Sequence, residues 1–131
     1  MREIRFRLRI GDKIVGWEKW CPSVGGNVDG RLFVKPNGCA GWDYIPHTDK
    51  DQFTGLCDRK GKEIYEGDIL RRHLTGTLYS ILEVFWNEET SGFCTRPHTP
   101  YGSNPLEKEK AGWYEIVGNV FQNKDLLKEK P

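Results

Sequence analysis

At 131 residues the chain fits one domain, or one small body with an elaborated N-terminal part. A formal net charge of +1 excludes a global pull toward nucleic acid or membrane, so any charged site must be local. Fifteen glycines and seven prolines favour short strands and turns over helices, and five tryptophans in a 37% hydrophobic chain are enough for a core. No apolar run approaches a membrane span and the N-terminus lacks an apolar signal core. A cytoplasmic chain with no membrane partner is expected.

The first predicted element is a strand in which Ile4, Phe6, Leu8 and Ile10 alternate with Glu3, Arg5, Arg7 and Arg9. The turn Gly11-Asp12-Lys13 then leads into Ile14-Val15-Gly16-Trp17, which predicts a hairpin. Residues 22–41 are loop-rich around a short strand at 31–35. Pro36-Asn37-Gly38 is a strong turn signal, so 39–44 is expected to pair back onto that strand. Residues 47–52 are polar and lead into the most distinctive part of the chain.

That part is Phe53-Thr54-Gly55-Leu56-Cys57-Asp58-Arg59-Lys60-Gly61-Lys62-Glu63-Ile64-Tyr65-Glu66-Gly67-Asp68-Ile69-Leu70. Asp58 suits the first position of a type I turn and Gly61 the last. Glu66-Gly67-Asp68 makes a second corner, with a strand starting at Ile69. Gly55, Gly61 and Gly67 each mark a special backbone position, and in the left-handed region Gly67→Ala costs about 1–2 kcal/mol. Beyond it, 69–74 and 80–86 read as strands around a turn at Gly76, with Leu82, Val84 and Trp86 on one face. Asn87 to Gly92 is a polar loop with 93–96 as its hairpin partner, and 99–110 is an exposed excursion. Residues 113–121 form the last long strand, with Tyr114, Ile116, Gly118 and Val120 facing one way. Asn123 is expected to cap a short helix whose Leu126 and Leu127 pack back. Trp86, Trp113, Tyr114 and Phe121 are read as core. The pattern as a whole predicts a mainly β fold, a small barrel or roll.

The 53–70 stretch resembles the signature of the YopX family of phage and prophage proteins: Thr-Gly-Leu, a charged turn with Asp, then Gly-Lys-Glu-Ile-Tyr-Glu-Gly-Asp-Ile. Residues 1–7 resemble that family's opening, and Ile116-Val117-Gly118-Asn119-Val120-Phe121-Gln122-Asn123 with Leu126-Leu127 resembles its close. Cys57 and Lys124 depart from the pattern at turn positions. The resemblance implies an SH3-like barrel over residues 51–131, following an N-terminal β-hairpin region with loops at 1–50. It makes Gly55, Gly61, Gly67, Asp68 and Gly118 structural signature residues. It implies no catalytic residues and no cofactor.

Chemistry is sparse on other grounds. Gly55 through Gly61-Lys62 has one residue too many for a phosphate loop, and Glu63 stands where Ser or Thr is required. Glu63, Glu66 and Asp68 alternate with turn glycines, a pattern that suits capping of amides better than an acid–base pair. His47, His73 and His98 have no nucleophile elbow to serve, and Asp49-Lys50-Asp51 lacks the spacing of a calcium loop. Cys21, Cys39, Cys57 and Cys94 form no close pair. Cys94 and His98 are spaced like half a zinc site, but free thiols are the expected state and no metal is implied.

Arg5, Arg7 and Arg9 share one face of the first strand, and Arg71 and Arg72 begin another. Were those strands neighbours, the five would form a basic patch, with Trp17, Trp20 and Trp42 as stacking surfaces for a nucleic acid strand. The leading reading is a non-catalytic interaction or assembly module that acts on a protein partner or on itself through sheet edges and loops. Nucleic-acid binding through the arginine face is the alternative. An enzyme using the acids of 63–68 comes third.

Overall fold

The computed structural model describes residues 4–21, 30–73, 79–97, 104–106 and 112–128. Among these, strands dominate: β1 (Arg5–Ile10), β2 (Lys13–Cys21), β3 (Gly30–Val34), β4 (Ala40–Gly41), β5 (Asp49–Cys57), β6 (Glu63–Tyr65), β7 (Asp68–His73), β8 (Tyr79–Asn87), β9 (Gly92–Pro97), β10 (Asn104–Pro105) and β11 (Tyr114–Asn119). A 3-10 turn at Lys124–Lys128 follows. The strands form two antiparallel sheets, ordered β4-β3-β2-β1-β5-β6 and β10-β9-β8-β7-β11. The chain divides into two compact units, Met1–Phe53 and Thr54–Pro131, and β5 runs from the first into the second.

In the first unit Gly11-Asp12 turns β1 into β2 with Ile10 opposite Lys13, as the sequence predicts. The 36–38 turn returns Ala40 and Gly41 onto Val34 and Phe33. The alternation along β1 does not translate into a simple inside and outside. Arg7 and Arg9 are buried, whereas Ile4 and Ile10 are exposed at the strand ends. The reason is position. β1 lies between β2 and β5 in the middle of its sheet, and Asp51 of β5 stands opposite Arg7 and pairs with both Arg7 and Arg9.

In the second unit one face of the five-stranded sheet carries the core: Leu70, Leu82, Val84, Phe93 and Tyr114, with Ile64 of β6 fully buried among them. Leu56, Leu106 and Ile116 pack around this cluster. The predicted barrel does not close, because β10 and β11 are the two ends of an open sheet among the described residues. The Tyr114 carbonyl accepts from the Arg59 amide and the Ile116 amide donates to the Asp58 carboxylate, so a turn covers the outer edge of β11. β10 is two residues long and ends in Pro105, which has no amide to donate.

Three further expectations need correction. Trp113 is 52% exposed and Trp86 is exposed as well, while Tyr114 holds the core position. Trp113 precedes β11 and Trp86 lies at the turn end of β8, where periodicity continues but the covering layer does not. Register shifts between Ile116 and Gly118, so the single face predicted through Val120 is interrupted by a bulge. Asn123 does not cap the terminal turn with its side chain; its Oδ1 accepts from the Asn119 amide instead. A Cβ on Gly118 would lie 2.6 Å from that Oδ1, which explains the glycine. Leu127 is buried as expected, with Leu126 partly so. The readings at 1–3, 22–29, Leu74 to Gly76, His98 and most of 99–110 lie outside the described residues.

Gly55, Gly61 and Gly67 all have φ between +83° and +90°. Gly67 is the most constrained of them. Its amide donates to the Val84 carbonyl, its carbonyl accepts from the Val120 amide, and a Cβ there would meet Phe121 Cε2 at 2.7 Å. Gly55 has the same φ with open space around it. Gly55→Ala should therefore cost only the left-handed penalty, about 1–2 kcal/mol. Gly67→Ala adds displacement of the Phe121 ring, for about 2–4 kcal/mol in total. Urea denaturation of both variants checks this, and equal losses would remove the packing part of the argument.

Candidate binding face of the first unit

Cross-strand register assembles the site. Phe6 lies opposite Glu18, and Glu18 opposite Phe33; Trp20 faces Arg31 and Leu8 faces Lys50. Side chains alternate along a strand, so Phe6, Leu8, Glu18, Trp20, Arg31, Phe33 and Lys50 share one face of the six-stranded sheet. Residues 42–48 cross that face from β3 toward β1. Tyr44 meets the Phe33 ring edge-on at 5.6 Å, and Ile45 Cδ1 sits where a Gly16 side chain would otherwise project. The Thr48 amide then donates to the Arg9 carbonyl. His47 tilts against Tyr44 and donates through Nδ1 to the Ile45 carbonyl.

Glu18 is the electrostatic floor of this face. It is 1% exposed, and neither carboxylate oxygen has a hydrogen-bond partner. Arg31 Nη1 stands 3.6 Å from one oxygen and Lys50 Nζ 3.5 Å from the other, with the two side chains 50% and 40% exposed. Each cation also lies over a ring: Arg31 over Trp20 at 4.8 Å, Lys50 over Phe6 at 4.4 Å. Such stacks contribute about 0.5–2 kcal/mol apiece. A carboxylate away from water needs opposite charge nearby, and two cations over-neutralise it. The result is a three-charge cluster with one net positive charge, each cation lying over an aromatic ring. On the crossing segment Trp42 is 68% exposed and Tyr44 61%.

The arginines singled out in the sequence take other positions. Arg5, Arg7 and Arg9 lie on the opposite face of β1. Arg7 and Arg9 both bind Asp51, and Arg5 lies over the Phe53 ring. Arg71 and Arg72 belong to β7, in the other sheet, so the neighbouring strands that a shared patch required do not exist. Arg71 pairs with Glu115 at 3.0 Å and Arg72 stacks on Trp113 at 5.5 Å. Sequence reasoning passed over Glu18, Arg31 and Lys50 as a group because three separate strands bring them together. Trp20 and Trp42 were the available signal, since both were flagged as stacking surfaces.

In the acidic segment one carboxylate holds a backbone amide and another a side-chain hydroxyl. Asp68 is buried and accepts from the Tyr65 amide at 2.8 Å, and Glu63 accepts from the Tyr65 hydroxyl. Cys39 and Cys57 are exposed, Cys94 is buried, and no group of three metal-ligating side chains is assembled among the described residues. No helix among them is long and apolar enough to cross a membrane.

Glu115 carries a strong pKa shift. The Arg71 and Lys60 side chains donate to it, which lowers its pKa from 4.5 to about 2. A carboxyl that is depressed in the fold adds stability above its unfolded pKa and loses it as pH falls through the folded one. Glu115→Gln should therefore lower Tm at pH 7, and its deficit against the parent should shrink between pH 4.5 and about 2. A deficit that stays constant across that range would show that the pair contributes nothing through its charge.

Two open antiparallel sheets define a mainly β protein. Residues 36–128 match the family described as YopX protein, and the chain belongs to that family. The match includes the 53–70 and 116–127 segments, while residues 1–7 fall outside it. The crystal structure of protein EF1440 from Enterococcus faecalis is similar in fold, with a TM-score of 0.51 and 20% identity over 95% of this chain and 97% of that one. No curated protein matches the chain.

Proposed function

We propose that the chain is a non-catalytic interaction module of the phage and prophage kind, and that its contact surface is the aromatic and basic face of the first unit. The observation that carries this is Trp42, a tryptophan in a defined position with two thirds of its surface in water. Large exposed rings and half-exposed cations on one unit are the composition of a binding surface. Sheet edges, the other route to partners, are blunted. β4 and β10 have two residues each, β6 has three, and a turn covers β11. Contact through a face therefore fits better than strand addition or self-association through an edge.

The test is capture from prophage-induced host cells with tagged parent and a Trp42→Ser/Tyr44→Ser variant. The variant should melt like the parent and lose the captured partner. Trp113→Ser, which removes an exposed ring from the second unit, should keep it. An unchanged set of partners in the Trp42/Tyr44 variant would refute this reading.

A further inference from the structure

We infer that the partner of this face is a single strand of nucleic acid. The inference rests on the binding face proposed above and names its ligand. Arg31 and Lys50 hold Glu18 only at ion-pair distance, and their remaining contacts are with rings. A guanidinium offers five N–H donors and an ammonium three, so both retain donors for an acceptor from outside. Their fixed position over Trp20 and Phe6 lowers the entropy that two flexible cations would otherwise lose on binding phosphate.

Glu18 acts here as a positioning residue. It is too deeply buried to meet a ligand, but it draws both cations to one place and offsets only one of them. Charge across the chain agrees. Residues 1–53 carry nine Lys and Arg against seven Asp and Glu, whereas 54–131 carry eleven against twelve.

Ring chemistry selects nucleic acid over another polyanion. The outer plane of a stacked arginine is itself a platform for a base, and exposed Trp42 and Tyr44 add two more. An acidic peptide would use the cations and leave both rings in water. A duplex is a poor fit, because its base edges must be read by an element that enters a groove, and this is a sheet face. Unpaired bases can lie against the exposed rings and cations that border it.

The experiment is fluorescence anisotropy with labelled oligothymidylate and oligouridylate of about 16 nucleotides, a duplex of equal length, and polyglutamate as competitor. With two phosphates neutralised, log K should fall with log salt at a slope near −1.4 for a single strand. Arg31→Gln or Lys50→Gln should each reduce that slope by about 0.7, and Lys62→Ala, an exposed lysine of the second unit, should leave it unchanged. Arg31→Gln/Lys50→Gln, made together with Glu18→Gln so that no uncompensated buried carboxylate unfolds it, should bring the slope to about zero. Trp42→Ala should weaken binding roughly 5- to 100-fold with little change in slope. Four outcomes would overturn the inference: no binding at low salt, equal affinity for the duplex, displacement by polyglutamate at equal charge, or indifference to Trp42→Ala. If oligonucleotides fail while the Trp42→Ser/Tyr44→Ser variant still loses a captured protein, the ligand assignment falls and the binding face stands. If neither effect appears, both fall.

Discussion

Asp51→Ala should destabilise the first unit by about 3–5 kcal/mol, the cost of removing one partner from a buried ion cluster. Asp51 accepts from Arg9 Nε at 2.8 Å and Nη2 at 3.0 Å, one bond to each oxygen, and from Arg7 Nε at 3.0 Å. All three side chains are buried. The alanine variant would keep two guanidiniums on one covered face without the carboxylate that lies between them. Asp51→Asn retains the volume and one acceptor oxygen and should lose roughly half as much, because hydrogen bonds to a neutral amide are about half as strong. Urea melts followed by tryptophan fluorescence read this, with Trp17, Trp20 and Trp42 in the affected unit. A loss below about 1 kcal/mol for Asp51→Ala would place the cluster in solvent-like surroundings.

The same cluster shows what the sequence could not disclose. Turns were legible because their chemistry is local: Gly11-Asp12, Pro36-Asn37-Gly38, the Asn87 to Gly92 loop and the corner at Gly67 each stand where their residues predict. The face of β1 was not legible. Alternation correctly separates Arg5, Arg7 and Arg9 from Phe6 and Leu8, but whether an arginine meets water depends on a carboxylate 44 residues away from Arg7. The binding face failed to announce itself for the same reason. Glu18, Arg31 and Lys50 come from β2, β3 and β5, and only pairing across the sheet brings them within ion-pair reach. Trp113 erred in the other direction. Its hydrophobicity suggested burial, yet it sits just before the strand, where Arg72 covers one side of the ring.

The signature stretch also acquires a physical role beyond turning the chain. Asp58 Oδ1 accepts from the amides of Lys60 and Lys62, and Oδ2 accepts from Ile116 across the fold, each at 2.9–3.0 Å. The next amide, Arg59, donates to the Tyr114 carbonyl. The carboxylate thus closes its own turn and occupies the outward-pointing amide of β11, the position that a neighbouring strand would take. An exposed edge of this kind invites pairing with another chain. Asp58→Ala should therefore have two consequences. It should cost about 3 kcal/mol or more in the second unit, since three hydrogen bonds to a buried carboxylate disappear and the Ile116 amide loses its acceptor. It should also produce species larger than the parent in size-exclusion chromatography with light scattering, growing with concentration. Asp58→Asn separates the two effects. Its single carbonyl oxygen can serve the turn, but its NH2 group then faces the Ile116 amide, donor against donor. That variant should keep the turn and still associate. If both variants lose stability yet elute as the parent does, Asp58 is a turn residue only, and some other feature keeps the β11 edge from pairing.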